Sequence, residues 1–122
     1  MIVAVTRETF PGENRVALIP ASVPPLLKRG CEVLVENSAG QRAGFPDEEY
    51  AERGAKLVAQ REDLFTADVI LQVRSGGANP EAGRADLERF REGQVVIGTA
   101  DPLGSPQSAT ELADRGVTLF AL

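Results

Sequence analysis

The chain reads as an α/β domain of three layers: a mainly parallel sheet with helices on both faces. Three observations predict it. Several short runs are apolar on both faces, among them Ile2-Val3-Ala4-Val5, Val69-Ile70-Leu71 and Val95-Val96-Ile97, as expected of parallel strands covered from both sides. These runs alternate with helical signals, which gives layers of helix and sheet. One junction also recurs four times: Lys28-Arg29-Gly30, Glu52-Arg53-Gly54, Arg91-Glu92-Gly93 and Asp114-Arg115-Gly116 each precede a short apolar run. A basic last turn suits the negative end of a helix, and a glycine in the left-handed conformation then terminates it.

Taken in order, strands are expected at 2–6, 32–36, 68–73, 94–99 and 117–122, with 55–58 as a short extra. The first helix should be short, over 22–29, because Pro24 and Pro25 are tolerated only near a helix start. Pro46 and the acids Asp47, Glu48 and Glu49 open a second. Residues 84–92 carry Leu87 and Phe90 on one face, and their charges read as a solvated face. Ser105 is a suitable cap for a helix beginning at Pro106, with Ala109, Leu112 and Ala113 as its inner stripe. Residues 75–83, with three glycines and Pro80, form a loop. Cys31 reads as a small buried hydrophobe.

The composition excludes several functions. At 122 residues the expectation is one domain, and 43% apolar with 25% charged residues is ordinary for a folded chain. A net charge of −5 and few aromatics make nucleic acid an improbable partner. With no histidine and one cysteine, no usual zinc site and no Ser-His-Asp or Cys-His triad can be assembled, so no metal is expected. No apolar run is long enough for a membrane span, and the N-terminus lacks a signal peptide, so a cytosolic domain is expected. The apolar segment 117–122 at the end of the chain reads as the body of a strand, which suggests the N-terminal piece of a longer protein.

In an open parallel sheet, ligands collect beyond the carboxyl ends of the strands. Thr6-Arg7-Glu8, Glu36-Asn37-Ser38, Arg74-Ser75 and Thr99-Ala100-Asp101 stand there, and Arg15 joins them from the following loop. Arg7, Arg15 and Arg74 converging on one edge could hold a carboxylate or phosphate, because a guanidinium offers a planar fork to two oxygens. Alternatively, Arg7 and Arg15 pair with Glu8, Glu13 or Glu36 and pin the loop. Neither G-x-G-x-x-G nor a P-loop occurs. A receiver domain would need paired acids after the first strand, where Arg7 and Glu8 stand.

The segment from Arg7 to Pro20, with its Pro11-Gly12-Glu13-Asn14-Arg15-Val16-Ala17 core, closely resembles the opening motif of the alanine dehydrogenase and NAD(P) transhydrogenase family. The likeness continues through 26–36, Ala39-Gly40, 44–50 and 67–74. The resemblance implies a flavodoxin-like domain, akin to the catalytic domain of formate/glycerate dehydrogenases, truncated before a Rossmann domain that carries most of the NAD(H) site. Thr6 replaces the family's usual proline and Ile19 its usual hydroxyl residue.

Within that family, the dehydrogenase branch holds its substrate carboxylate with the arginine matching Arg15 and a lysine that here is Arg74. Its acid/base histidine falls at or beside Asp101. An arginine is a poor proton shuttle. The resemblance is therefore closer to the transhydrogenase branch, in which hydride passes between two nicotinamides. It implies the N-terminal part of an NAD(H)-binding α component, dimeric and on the cytosolic side, with NADP-binding and membrane subunits as partners. Arg7, Arg15, Arg74 and Asp101 are the candidate cleft residues, and the chain alone is expected to be inactive; the alternatives are an alanine or related amino-acid dehydrogenase and a non-catalytic binding module of the same fold.

Overall fold

In the computed structural model, which describes residues 1–122, the apolar runs pair as six strands: β1 (Ile2–Val5), β2 (Glu32–Glu36), β3 (Lys56–Val58), β4 (Val69–Arg74), β5 (Val95–Thr99) and β6 (Thr118–Ala121). Their order is β3-β2-β1-β4-β5-β6, and every pair is parallel. Without the short β3 at one edge, the five longer strands follow the flavodoxin-like order; with it, they follow the doubly wound order of dinucleotide folds. The architecture expected from the sequence is the one observed.

The helices are α1 (Val23–Lys28), α2 (Asp47–Glu52), α3 (Arg61–Leu64), α4 (Arg84–Leu87) and α5 (Pro106–Asp114). Side chains alternate between faces along a strand, so each face of the sheet has its own core. Ala4, Ile70 and Val96 lie in register across β1, β4 and β5 and pack on Leu64, Phe65, Phe90 and Leu112 from α3, the segment after α4, and α5. On the opposite face Val5, Val33 and Val35 meet Val23, Leu26 and Leu27 of α1 and Tyr50 of α2. The Tyr50 hydroxyl donates to the Leu18 carbonyl at 2.8 Å and ties α2 to the loop after β1. Beyond β4 this second face carries no helix, and Phe120 on β6 is 56% exposed.

All four junction glycines adopt the left-handed conformation, with φ between 70° and 97°. Gly77 has a different duty: a Cβ there would overlap the Ala100 carbonyl oxygen, so only glycine lets the loop after β4 press on the end of β5.

Three local expectations need correction. The helix expected over 84–92 closes after one turn, at Leu87, and Asp86 is buried rather than solvated. Ser105 does not cap α5 through its side chain; its hydroxyl pairs with the Ser108 hydroxyl at 3.0 Å, and its carbonyl accepts the Ser108 N–H. Cys31 is only half-buried, because it lies at the turn before β2 and outside both cores. The four-residue α3 was not expected at all.

Candidate functional site

The chain leaves β1 toward β2 on one side and leaves β4 toward β5 on the other. The crevice between the carboxyl ends of these neighbouring strands is the switch point at which doubly wound sheets bind ligands. It is built by the loop 6–19 after β1 and the loop 75–83 after β4. The Asn79 amide bridges the two loops by donating to the Thr9 hydroxyl at 2.8 Å.

Three buried glutamates organise this edge. Glu36, at the end of β2, accepts the Arg7 N–H at 2.7 Å and Arg61 Nη1 at 2.6 Å. Arg61 Nη1 also donates to the Arg7 carbonyl at 3.0 Å, so the Arg7 peptide is held from both sides. The same guanidinium grips Asp86 with two bonds, Nε to Oδ1 at 2.9 Å and Nη2 to Oδ2 at 2.7 Å. Arg89 and Gln72 complete the donors to Asp86. This assembly lies below the edge on the α3/α4 face, and only 17% of the Arg61 side chain is exposed.

Glu8 turns its carboxylate to the end of β4 and accepts the N–H groups of Val73 and Arg74, at 2.7 and 3.1 Å. Burial pushes its pKa up, and the two amide bonds offset this only in part. Glu13 behaves in the opposite way. Arg15 binds it in a fork, Nε at 2.8 Å and Nη2 at 2.7 Å, and Arg74 Nε adds a bond at 2.8 Å. The Arg15 guanidinium, with Arg74 beside it, holds Glu13 well below the usual carboxylate range despite its burial.

Arg74 is fixed a second way, since its guanidinium carbon lies 4.2 Å from the centre of the Phe10 ring. Glu13 thus sets two guanidiniums side by side and leaves Arg15 Nη1 and both Arg74 terminal nitrogens without hydrogen-bond partners in the chain. The Arg15 side chain is 65% exposed and that of Arg74 33%. A groove lined by Arg15, Val16, Ala17, Val73, Ile97 and Thr99 runs beside them over the bare part of the sheet. The arrangement can receive a carboxylate attached to a small apolar body.

The structure therefore brings Arg15 and Arg74 together and settles their relation to the glutamates: both pair with Glu13. The Arg7 side chain stands apart, exposed and unpaired, although its peptide is clamped. Asp101 does not join the group. It sits at a positive φ of 43° in the turn after β5, where its Oδ1 accepts the Gly104 N–H. Sequence reasoning missed Arg61 and Asp86, the buried hub beneath the edge. No group of three or more His, Cys, Asp or Glu side chains is placed to hold a metal ion, and no helix is long and apolar enough to cross a membrane.

The edge is not shaped as the seat of a dinucleotide. In folds of this order the pyrophosphate rests on free N–H groups at the first strand–helix turn. Here the Arg7 N–H is taken by the Glu36 carboxylate, and no helical turn begins before Pro20. The residues present do not fit a pyrophosphate at that turn.

Residues 4–122 match the family described as alanine dehydrogenase/PNT, N-terminal domain. The NAD(P) transhydrogenase subunit alpha of Cereibacter sphaeroides is 37% identical over all of this chain, which corresponds to 22% of that protein. Alanine dehydrogenase of Bacillus subtilis is 36% identical over 99% of this chain and 30% of its own length. Among solved structures, a transhydrogenase from Sinorhizobium meliloti superimposes with a TM-score of 0.87 at 38% identity, covering 99% of this chain and 34% of that one. An L-alanine dehydrogenase superimposes at 0.89 with 27% identity, covering 99% and 32%. The chain thus spans between a fifth and about a third of the length of these relatives. It belongs to the alanine dehydrogenase/PNT N-terminal domain family.

Proposed function

We propose that this domain is the N-terminal part of the NAD(H)-binding component of a proton-translocating NAD(P) transhydrogenase, which passes hydride from NADH to NADP⁺. One observation carries the reading. The group at the end of β4, where the dehydrogenase branch of the resemblance has a lysine, is Arg74, locked by Glu13 and stacked on Phe10. A guanidinium stays protonated at any working pH and cannot take the proton that alanine oxidation releases. The chain has no histidine to do so instead. Transfer between two nicotinamides asks for alignment and exclusion of water, and a fixed cationic wall supports both.

In this reading the domain forms one wall of the cleft, and a Rossmann domain elsewhere in the full-length subunit grips the dinucleotide. The subunit is dimeric, lies on the cytosolic side, and works with NADP-binding and membrane subunits. The isolated chain is inactive and binds NADH weakly; calorimetry giving micromolar affinity, about −8 kcal/mol, would place the cofactor site wrongly.

Alanine dehydrogenase is the second reading. The free donors of Arg15 and Arg74 favour it, because they suit a substrate carboxylate. The deciding assay mixes full-length protein with alanine and NAD⁺ at alkaline pH. No NADH should form, whereas an oxidised nicotinamide analogue should be reduced by NADH once the NADP-binding partner is supplied. Steady alanine turnover that disappears with Asp101→Asn would overturn the proposal in favour of the second reading.

A further inference from the structure

Beside the Arg15–Arg74 pair lies a second groove, of about 650 Å³, between the loop after β1 and the loop after β2. Arg7 and Arg42 both line it, with Ser38, Gln41, Gly12 and Glu8. Neither arginine takes part in any ion pair or side-chain hydrogen bond of the chain, although its eight ion pairs engage five other arginines and Lys56. Two unpaired guanidiniums on one groove repel each other, in a chain whose net charge is −5.

The acids nearby are already committed. Glu8 faces the β4 amides, Glu36 holds the Arg7 peptide and Arg61, and both Asp47 oxygens accept the Ser38 N–H, at 2.8 and 3.1 Å. The walls are rigid where it matters. The Arg7 peptide is clamped on both sides, and Ser38 is held at a φ of 65°, a conformation costly for a residue with a side chain. Strain of this kind concentrates where a loop is shaped for a ligand. We infer that the groove between Arg7 and Arg42 is a subsite for a phosphate group, separate from the Arg15–Arg74 carboxylate seat. Two arginines lining one groove suit the several oxygens of a phosphate better than the two of a carboxylate. The inference does not depend on which enzyme of the family the chain serves.

The test is an NMR titration of the ¹⁵N-labelled 122-residue chain, following the arginine Nε–Hε signals. The probes are inorganic phosphate, adenosine 2′-monophosphate and acetate, at constant ionic strength. Arg7 and Arg42 should shift saturably with both phosphates, roughly tenfold more tightly than with acetate, because only phosphate engages both forks. Arg42→Ala should weaken phosphate binding and leave the acetate shifts at Arg15 and Arg74 intact; if that variant folds poorly, Arg7→Gln serves the same purpose. Tighter binding of the nucleotide than of free phosphate identifies a nucleotide-borne group, and equal binding identifies the free ion. Shifts that rise linearly without saturation, that appear only at Arg15 and Arg74, or that survive Arg42→Ala and Arg7→Gln unchanged would overturn the inference.

Discussion

The carboxyl edge of the sheet carries two guanidinium–carboxylate assemblies that differ in what encloses them. Around Arg61 the charges are shut in: Glu36 and Asp86 are almost fully buried, and the guanidinium between them is 17% exposed. Around Glu13 only the carboxylate is buried, and the arginines on it reach the solvent. The first assembly uses Nε, Nη1 and Nη2 of its arginine on the protein, peptide of Arg7 included. The second leaves donors over. Similar ion pairs therefore serve two ends: a closed one fixes backbone, and an open one presents cations to whatever enters the crevice.

Removing the closed hub should have the largest effect. Arg61→Ala strands two buried carboxylates, and breaking a buried pair in this way costs about 3–5 kcal/mol. Urea unfolding should show it, together with loosened exchange of the Arg7 amide. A loss below about 1 kcal/mol would mean that the two assemblies do not differ as described.

Glu13→Gln should cost less, about 1–2 kcal/mol, because Arg15 and Arg74 recover water when released. Its signature is in the pH dependence. The folded pKa of Glu13 lies below its ordinary value of 4.5. Its pairing therefore contributes fully above pH 4.5 and is lost as the pH falls toward the folded value. Unfolding curves of the wild type and of Glu13→Gln should separate at neutral pH and converge in acid.

The smallest effect has the opposite sign. Thr6 Oγ1 is buried without a hydrogen-bond partner, so Thr6→Val should be neutral or stabilising by up to about 1 kcal/mol in the same unfolding assay. Clear destabilisation would show that a bridging water satisfies that hydroxyl.

The two cations of the open assembly were legible in the sequence, though not their common partner Glu13; the closed assembly was not legible, for a physical reason. Glu13, Arg15 and the end of β4 are placed by a local loop motif and by strand ends that apolar runs reveal. Arg61 meets Glu36 and Asp86, each 25 residues away in the chain, through a one-turn helix too short to show a period. Asp86 looked solvated because a facial pattern was read over nine residues, of which four are helical. The junction glycines, by contrast, announced their left-handed conformations directly, since the requirement is local to each position.

The central claim is that one loop holds two carboxylates in opposite senses: burial raises the pKa of Glu8, and arginine partners lower that of Glu13. Glu8 and Glu13 test it within one loop, for both are buried and only Glu13 meets arginine side chains. The direct measurement is a ¹³C titration of their side-chain carboxyl carbons from acid to neutral pH. Glu13 should titrate well below 4.5, and Glu8 above it. A Glu13 midpoint at or above that of Glu8 would contradict the account.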